Sequence, residues 1–373
     1  MYRLLYISTN AMWSGSEELW SRSAKLFLSQ GHAVYFATKY NHPELTKLNA
    51  PNLNFYFRYA YKKRFKRLAE RYLKVKFGNE DFLKNFIQEI NPDYIIISQG
   101  NNFESLDLMQ ICKELGKPYI TISQLVTDVH IPYFNNENIK NYQAAYLGAL
   151  KNFFISKRNL KDNNLMLGID LPNAEAVYNP CKLLEEDIPA FPEEAGVYNI
   201  GLVGRIECLH KGYDVLLQVL SAKKWKERPV TFNIYGEGPH INLIKENMIR
   251  FNISNINFRG HESNISTIWK ENKILCMPSR MEGQALALIE AMFCQRAAVV
   301  TDVGGAAELI DEGESGFIAE APTPALLDAA LERAWTQRDR WKELGLQAAT
   351  SLKRKYPVDA VDYFNKQVER ELG

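Results

Sequence analysis

Glu282 and Glu290 stand eight positions apart in the stretch from Ser279 to Met292. Two carboxylates spaced across a strand-to-helix turn can hold a polar ligand by both ends. The apolar run Ile274-Leu275-Cys276-Met277 reads as a short strand entering Pro278 and Ser279. The chain then turns at Gly283, and Ala285, Leu288, Ile289 and Met292 give the next segment an apolar stripe at helical spacing. Glu282 is expected at the mouth of this turn and Glu290 about two turns along. The first amides of the helix, near Gln284, Ala285 and Leu286, have no partners inside it and form an electropositive cradle for phosphate or hydroxyl oxygens. The arrangement suits a ligand with a sugar at one end and a ribose at the other. Singly, each residue has a plainer reading: Glu282 as a helix-entry acid favoured by the dipole, Glu290 as a solvated charge.

Other turns in the same half add to this pattern. Gly201-Leu202-Val203-Gly204-Arg205 ends a strand, and Lys211-Gly212-Tyr213-Asp214 opens a helix shortly after. Arg205 can grip a diphosphate with a planar fork and Lys211 can meet it as a point charge. The alternative is a surface arginine and a solvated lysine. Tyr235-Gly236-Glu237-Gly238-Pro239 is a second turn, in which Gly236 and Gly238 permit close approach to a flat ligand such as a base, or simply a sharp bend. Phe258-Arg259-Gly260-His261 is a third, with His261 in a binding role or as a plain surface residue. Asp302-Val303-Gly304-Gly305 is a fourth, with Glu308 in the helix beyond it.

The elements that must position these residues alternate along the whole chain. Its 373 residues exceed one typical core and suit two domains. Leu4 to Ser8, Ala33 to Thr38, Tyr94 to Ile97, Tyr119 to Ile122 and Phe153 to Ile155 read as strands, with helices at Glu17 to Gln30 and Phe82 to Ile90. The pattern breaks at Val177-Tyr178-Asn179-Pro180, and an acidic, proline-bearing linker is placed at Glu185 to Gly196. Alternation restarts with strands at Asn199 to Val203, Thr231 to Tyr235, Ile256 to Arg259 and Ala298 to Thr301. Helices are expected at Tyr213 to Leu220, His240 to Arg250, Pro324 to Thr336, Arg340 to Lys355 and Val358 to Glu371. The expected fold is α/β: two doubly wound Rossmann-like domains facing a cleft, at 1–180 and 196–355. A closing helix within 356–373 is expected to return to the first domain.

Composition narrows the function classes. A net charge of +1 argues against a protein built around nucleic acid. Five cysteines, odd in number and without a C-x-x-C pair, read as reduced core residues and not as disulfides or a zinc site. The start of the chain does not read as a signal peptide, and no apolar run approaches a membrane span. A cytoplasmic protein is expected. The stretch 58–76 carries nine basic residues against one acid, with Tyr59, Tyr61, Phe65 and Tyr72 interleaved. It reads as a solvated face, or as a surface that lies on an anionic membrane or grips a phosphorylated acceptor; membrane contact would make the protein peripheral on the inner membrane face.

The second half resembles the nucleotide-sugar domain of family 4 glycosyltransferases, which have the GT-B fold. The resemblance rests on Val203-Gly204-Arg205, Lys211-Gly212, Gly236-Glu237-Gly238-Pro239, the pair Glu282 and Glu290, and Gly304-Gly305 with Glu308, in the family's order over roughly Ile200 to Phe317. It implies that Arg205 and Lys211 hold a diphosphate, Glu290 the ribose hydroxyls, and Glu282 with the amides after it the transferred sugar. Gln284 and Ala285 stand where an aromatic or leucine and a proline or glycine are common, and Gln295 and Ala297 replace a usual glycine and proline.

In the first half, Ser14-Gly15-Ser16-Glu17-Glu18 resembles the family's Gly-Gly-x-Glu loop but keeps one glycine. Gly15 can bring the backbone close to a phosphate or acceptor, while a helix cap at Ser14 or Ser16 explains the same residues. Family members often carry a histidine after a strand of this domain, near the sugar. Here Gln124 takes that place by position, with His130 in the following loop as second choice. Ser98-Gln99-Gly100-Asn101-Asn102 ends another strand and lines the acceptor side, or is simply a polar loop.

The resemblance implies a retaining, hexosyl-type transferase acting in polysaccharide biosynthesis. It would use a nucleotide-diphosphate sugar, with UDP-sugar first and GDP-sugar second, without a required metal. The acceptor would be a glycan, free or lipid-linked. Alternatives on the same fold are a sugar-nucleotide epimerase, a glycan phosphorylase and a non-catalytic sugar-nucleotide-binding protein.

Overall fold

The computed structural model describes residues 1–10, 13, 15–38, 79–128, 135–181, 188–193 and 196–373. His130, Ser14 and the basic stretch 58–76 lie outside the described residues. The chain divides into two compact units, Met1–Pro180 with Asp359–Gly373, and Cys181–Val358.

The first unit runs β1 (Arg3–Ser8), α1 (Gly15–Ser29), β2 (Ala33–Thr38), α2 (Asn79–Ile90), β3 (Tyr94–Asn101), α3 (Leu106–Glu114), β4 (Tyr119–Leu125), α4 (Asn136–Gly148), β5 (Lys151–Phe154), α5 (Lys157–Leu167) and β6 (Ala174–Ala176). Its sheet has the order β2-β1-β3-β4-β5-β6, with every pairing parallel. A parallel sheet covered on both faces needs nearly continuous apolar strands. In β1, Leu5 and Ile7 enter the core on one face while Leu4 and Tyr6 enter the core on the other. The terminal helix Ala360–Leu372 packs on α1. Its Phe364, Val368 and Leu372, spaced one turn apart, join Leu4, Tyr6, Trp20 and Phe36 in one core.

Two expectations needed correction here. β3 continues through Asn101, so Ser98 to Asn101 is strand and not a polar loop. Ser98, Gln99 and Asn102 are buried. The Gln99 amide donates to Ser123 Oγ at 2.8 Å and to the Tyr146 hydroxyl at 2.9 Å, which offsets the cost of burying it. Helices α3, α4 and α5 were also not expected from the sequence. The core face of α5 carries Asn159 and Asn163 as well as Leu167, so its apolar stripe is thin.

The second unit runs β7 (Tyr198–Val203), α6 (Cys208–Lys211), α7 (Tyr213–Leu220), α8 (Lys223–Glu227), β8 (Val230–Tyr235), α9 (Ile241–Phe251), β9 (Ile256–Gly260), α10 (Ile265–Glu271), β10 (Ile274–Met277), α11 (Leu286–Phe293), β11 (Ala297–Thr301), α12 (Ala306–Leu309), β12 (Gly316–Ala319), α13 (Pro324–Thr336) and α14 (Trp341–Lys355). Its parallel sheet has the order β12-β11-β10-β7-β8-β9. One core joins Ile200, Leu202 and Phe232 of the sheet with Trp225 of α8, and the other joins Leu275 and Met277 of β10 with Ile289 and Met292 of α11. Thr323 caps α13 by accepting from the Leu326 amide, and Pro324 fits its first turn.

None of the five cysteines is in a disulfide. Cys112, Cys276 and Cys294 are buried, and burial pushes the thiols of Cys112 and Cys276 up to about 12. Cys181 and Cys208 are half-buried, so the reading of the cysteines as core residues holds for three of the five. Among the described residues no helix is long and apolar enough to cross a membrane.

Candidate functional site

The chain moves outward from β7 through β8 to β9, then returns to the other side of β7 to form β10. The connections that follow β7 and β10 therefore run to opposite sides of the sheet order, and ligands in open α/β sheets bind at such a switch point. Gly204 and Arg205 follow β7, while the segment from Pro278 to Glu282 follows β10.

Lys211 closes α6 and reaches the β10 loop, where its Nζ lies 2.6 Å from Glu282 Oε1. The Ser279 hydroxyl donates to the same oxygen at 2.7 Å. The Glu282 side chain is 9% exposed and that of Lys211 28%, so the pair is only partly screened by water. An ammonium has three donors, and Glu282 occupies one. Arg205 is exposed, with its guanidinium 3.9 Å from Glu207 Oε2.

Two helices begin at this edge with different endings. The amino end of α6 is closed: Glu207 accepts from the amides of Leu209 at 2.7 Å and His210 at 2.9 Å, and His240 Nδ1 accepts from Cys208 at 3.0 Å. Burial works to raise the Glu207 carboxyl, but the amides of His210 and Leu209 and the nearby His210 and Arg205 outweigh it and hold it below the usual carboxylate range. At α11, by contrast, Ala285 is the cap residue and offers no side-chain hydrogen bond. The cradle predicted from Gln284, Ala285 and Leu286 thus lies at a helix start whose cap residue makes no side-chain hydrogen bond. The helix starts at Leu286, later than the stripe suggested, because Ala285 is extended (φ −74°, ψ 94°). Glu290 consequently lies about one turn into α11 instead of two.

The glycines press the loops together. A Cβ on Gly236 would lie 2.1 Å from the Gly204 carbonyl oxygen, one on Gly238 2.3 Å from that of Ile206, and one on Gly304 2.0 Å from that of Glu282. Gly212 combines a φ of 64° with a site 1.9 Å from the Pro278 carbonyl oxygen, so no other residue fits. In addition, Gly236 N donates to Gly260 O at 2.7 Å and Gly305 N to Gly283 O at 2.8 Å. These close approaches are backbone against backbone, which gives each glycine a packing reason that the sequence did not reveal.

Gly204, Lys211, Gly236, Gly238, Glu282 and Gly283 are thereby joined in one connected edge. Gln284 and Ala285 are buried beside it, Leu286 and Glu290 are half-buried on α11, and His261 is exposed beyond Gly260. In the first unit Gly15 is the first residue of α1, after β1 and beside the β1/β3 switch point. Gln124 lies within β4, 4% exposed; its Oε1 accepts from Asn179 Nδ2 at 3.0 Å, and its Nε2 is buried without a hydrogen-bond partner. Sequence reasoning assigned no role to Ser279, Glu207, His240, Arg280 or Asp214. Ser279, Glu207, Arg280 and Asp214 stand within a few residues of Lys211 or Glu282, while the Arg280–Asp214 and Cys208–His240 pairings join residues remote in sequence.

Glu17, two residues past Gly15, is buried and accepts from Ser8 Oγ at 2.8 Å, Trp20 Nε1 at 2.7 Å, Asn10 and Ser16. Burial lifts its carboxyl above the usual range, although the donors from Asn10, Ser8, Trp20 and Ser16 pull the other way. The folded protein therefore binds this proton more tightly than the unfolded chain. That contribution to stability is complete below the ordinary carboxylate pKa and is lost as pH rises through the folded value. Glu17→Gln cannot ionise. Wild-type stability relative to this variant is expected to fall as pH rises from about 4 toward neutrality, read as the difference in Tm by scanning calorimetry. A difference independent of pH would contradict a raised Glu17.

Residues 198–337 match the Glycosyl transferases group 1 family. This segment is a group 1 glycosyl transferase domain, and the chain takes the GT-B glycosyltransferase fold. Over 152 residues, 40% of this chain and 42% of the relative, it is 28% identical to an uncharacterised glycosyltransferase of Methanocaldococcus jannaschii. Over 176 residues, 46% of this chain and 45% of the relative, it is 27% identical to the alpha-D-kanosaminyltransferase of Streptomyces kanamyceticus. The chain thus matches less than half the length of these curated relatives. HepE of Anabaena, solved in complex with UDP-glucose, superposes on 100% of this chain and 99% of its own with a TM-score of 0.75 at 15% identity, a likeness of fold.

Proposed function

We propose that the protein is a glycosyltransferase that moves a sugar from a nucleotide-diphosphate sugar to a hydroxyl acceptor, with retention and without a required metal. The observation that carries this reading is the Lys211–Glu282 contact at the β7/β10 switch point, beside the uncapped amino end of α11. A cation, a carboxylate and a helix amino end whose cap residue makes no side-chain hydrogen bond, on one sheet edge, match the three parts of such a donor. Arg205 and Lys211 take the diphosphate, Glu282 and the amides near Leu286 take sugar hydroxyls, and Glu290 takes the ribose. The UDP-glucose complex of HepE supports a UDP-sugar, and hexose transfer, over a GDP-sugar.

As the bond between the anomeric carbon and the diphosphate oxygen breaks, negative charge grows on the leaving group. Lys211, Arg205 and the helix amides stabilise it there, where a metal would otherwise serve. The freed phosphate oxygen accepts the acceptor's proton on the same face, and the new carbon–oxygen bond forms with retention. Acceptor binding is assigned to the unit of residues 1–180, with Gly15 and Gln124 as its polar contacts. The acceptor class is a glycan, free or lipid-linked, and the place of action is the cytoplasm or the inner membrane face.

A thermal-shift panel of UDP, GDP, ADP and their sugar conjugates tests the reading. A ligand at 100 times its Kd is expected to stabilise the protein by about 2.7 kcal/mol. The UDP compounds should give the largest shift, and no shift with any nucleotide would overturn the reading.

A further inference from the structure

Lys211 and Glu282 come from segments 71 positions apart, and backbone and side-chain contacts besides their own join those segments. The segment from Pro278 to Met281 is fastened to the corner formed by α6 and α7 at three places. The amides of Arg280 and Met281 donate to the His210 carbonyl oxygen at 2.7 and 3.2 Å. Gly212 lies flat against the Pro278 carbonyl. The Arg280 guanidinium then forks onto Asp214, the first-turn acid of α7, with two bonds of 2.6 Å, and donates to the Cys208 carbonyl oxygen at 2.8 Å. Lys211 lies between the two anchors Cys208 and Asp214, and Glu282 lies two residues past Arg280.

We propose that Arg280 and Asp214 are a positioning pair that sets the spacing between the diphosphate-binding Lys211 and the sugar-binding Glu282. The inference rests on the functional reading above and adds a pair that does not itself touch the donor. A planar two-pronged contact fixes direction as well as distance, which a single point charge cannot do. Burial works to raise the Asp214 carboxyl, but Arg280 outweighs it and holds it below the usual range; Asp214 in turn raises Arg280. The fork thus stays charged on both sides across the neutral range.

The test is a double-mutant cycle on affinity for the nucleoside diphosphate, among UDP, GDP and ADP, that stabilises the protein most. Arg280→Met is expected to weaken that affinity by about 10-fold or more, and in a Lys211→Ala background by less than about 2-fold, because the lysine it positions is gone. Arg280→Lys keeps the charge but not the fork, and should remain close to Arg280→Met. Equal losses in both backgrounds, or full rescue by lysine, would overturn the proposal. If Arg280→Met does not fold, Asp214→Asn with Arg280→Met leaves no unpaired charge and serves for the same comparison. Should Lys211→Ala alone leave nucleotide affinity unchanged, the functional reading fails. Should it lose affinity while Arg280→Met retains it, only the positioning pair fails.

Discussion

Lys211→Ala is expected to lower turnover by about 100- to 1,000-fold, the loss typical of removing one group aimed at charge that develops in a transition state. Two consequences follow from its place in the structure. The lysine is one of two cations assigned to the leaving diphosphate, so the effect should fall on kcat as well as on donor affinity. It is also the cationic partner of Glu282, whose side chain is largely buried. Without the lysine, Glu282 retains the Ser279 hydroxyl, and leaving a buried carboxylate underpaired costs about 1–3 kcal/mol. The variant should therefore lose activity far beyond its modest loss of Tm. Steady-state kinetics beside calorimetry separates the two, and turnover within a few-fold of wild type would remove Lys211 from the mechanism. Glu282→Gln provides the contrast: it keeps the shape and cancels the charge, so the stability term shrinks while the sugar contact changes.

Arg296→Met is expected to destabilise the second unit by about 3–5 kcal/mol, because several buried carbonyls lose their donor at about 1–3 kcal/mol each. Arg296 is fully buried between α11 and β11. Its guanidinium donates to the main-chain carbonyls of Asn272 at 2.9 Å, Cys294 at 2.6 Å, Ala190 at 2.8 Å and Trp269. It also lies 5.0 Å from the Phe191 ring centroid. Burial pushes the group down to about 10, still well above neutrality, so it remains charged and needs those acceptors. The carbonyls terminate α10 and α11 and hold the segment at Ala190, so removing the side chain orphans several buried acceptors at once. Arg296→Lys has three donors and should recover part of the loss. Tryptophan fluorescence in denaturant follows this unit once Trp13 and Trp20 of the first unit are replaced by phenylalanine, since the other four, Trp225, Trp269, Trp335 and Trp341, all belong to it. A loss under about 1 kcal/mol would show that the network is not needed.

Much of the site is legible in the amino-acid order alone. Strand-to-helix turns bearing glycine, with a cation after one and a carboxylate after another, can be read locally, and Lys211 and Glu282 stand out that way. The bounds of β2 and α13 match the sequence reading to the residue, because both segments have apolar periodicity within and turn or cap residues at their ends. Where periodicity is diluted by buried polar residues, as in the second half of β3 and in α5, the same reasoning stops early or finds nothing.

The sequence by itself determined the alternating α/β character and the chemistry available at each turn. Both depend on propensities and spacings that act over about ten residues. Only the tertiary structure decided which turns meet. Lys211 and Glu282 are 71 positions apart, and Arg280 and Asp214 are 66 apart. They meet because β10 returns beside β7, a matter of strand order that no local pattern encodes. The same applies to the Arg296 carbonyl cage and to the glycines, whose missing side chains make room for one another's backbones and not only for a ligand. Polar groups find their partners once burial makes leaving them unpaired costly, and burial is a property of the assembled sheet.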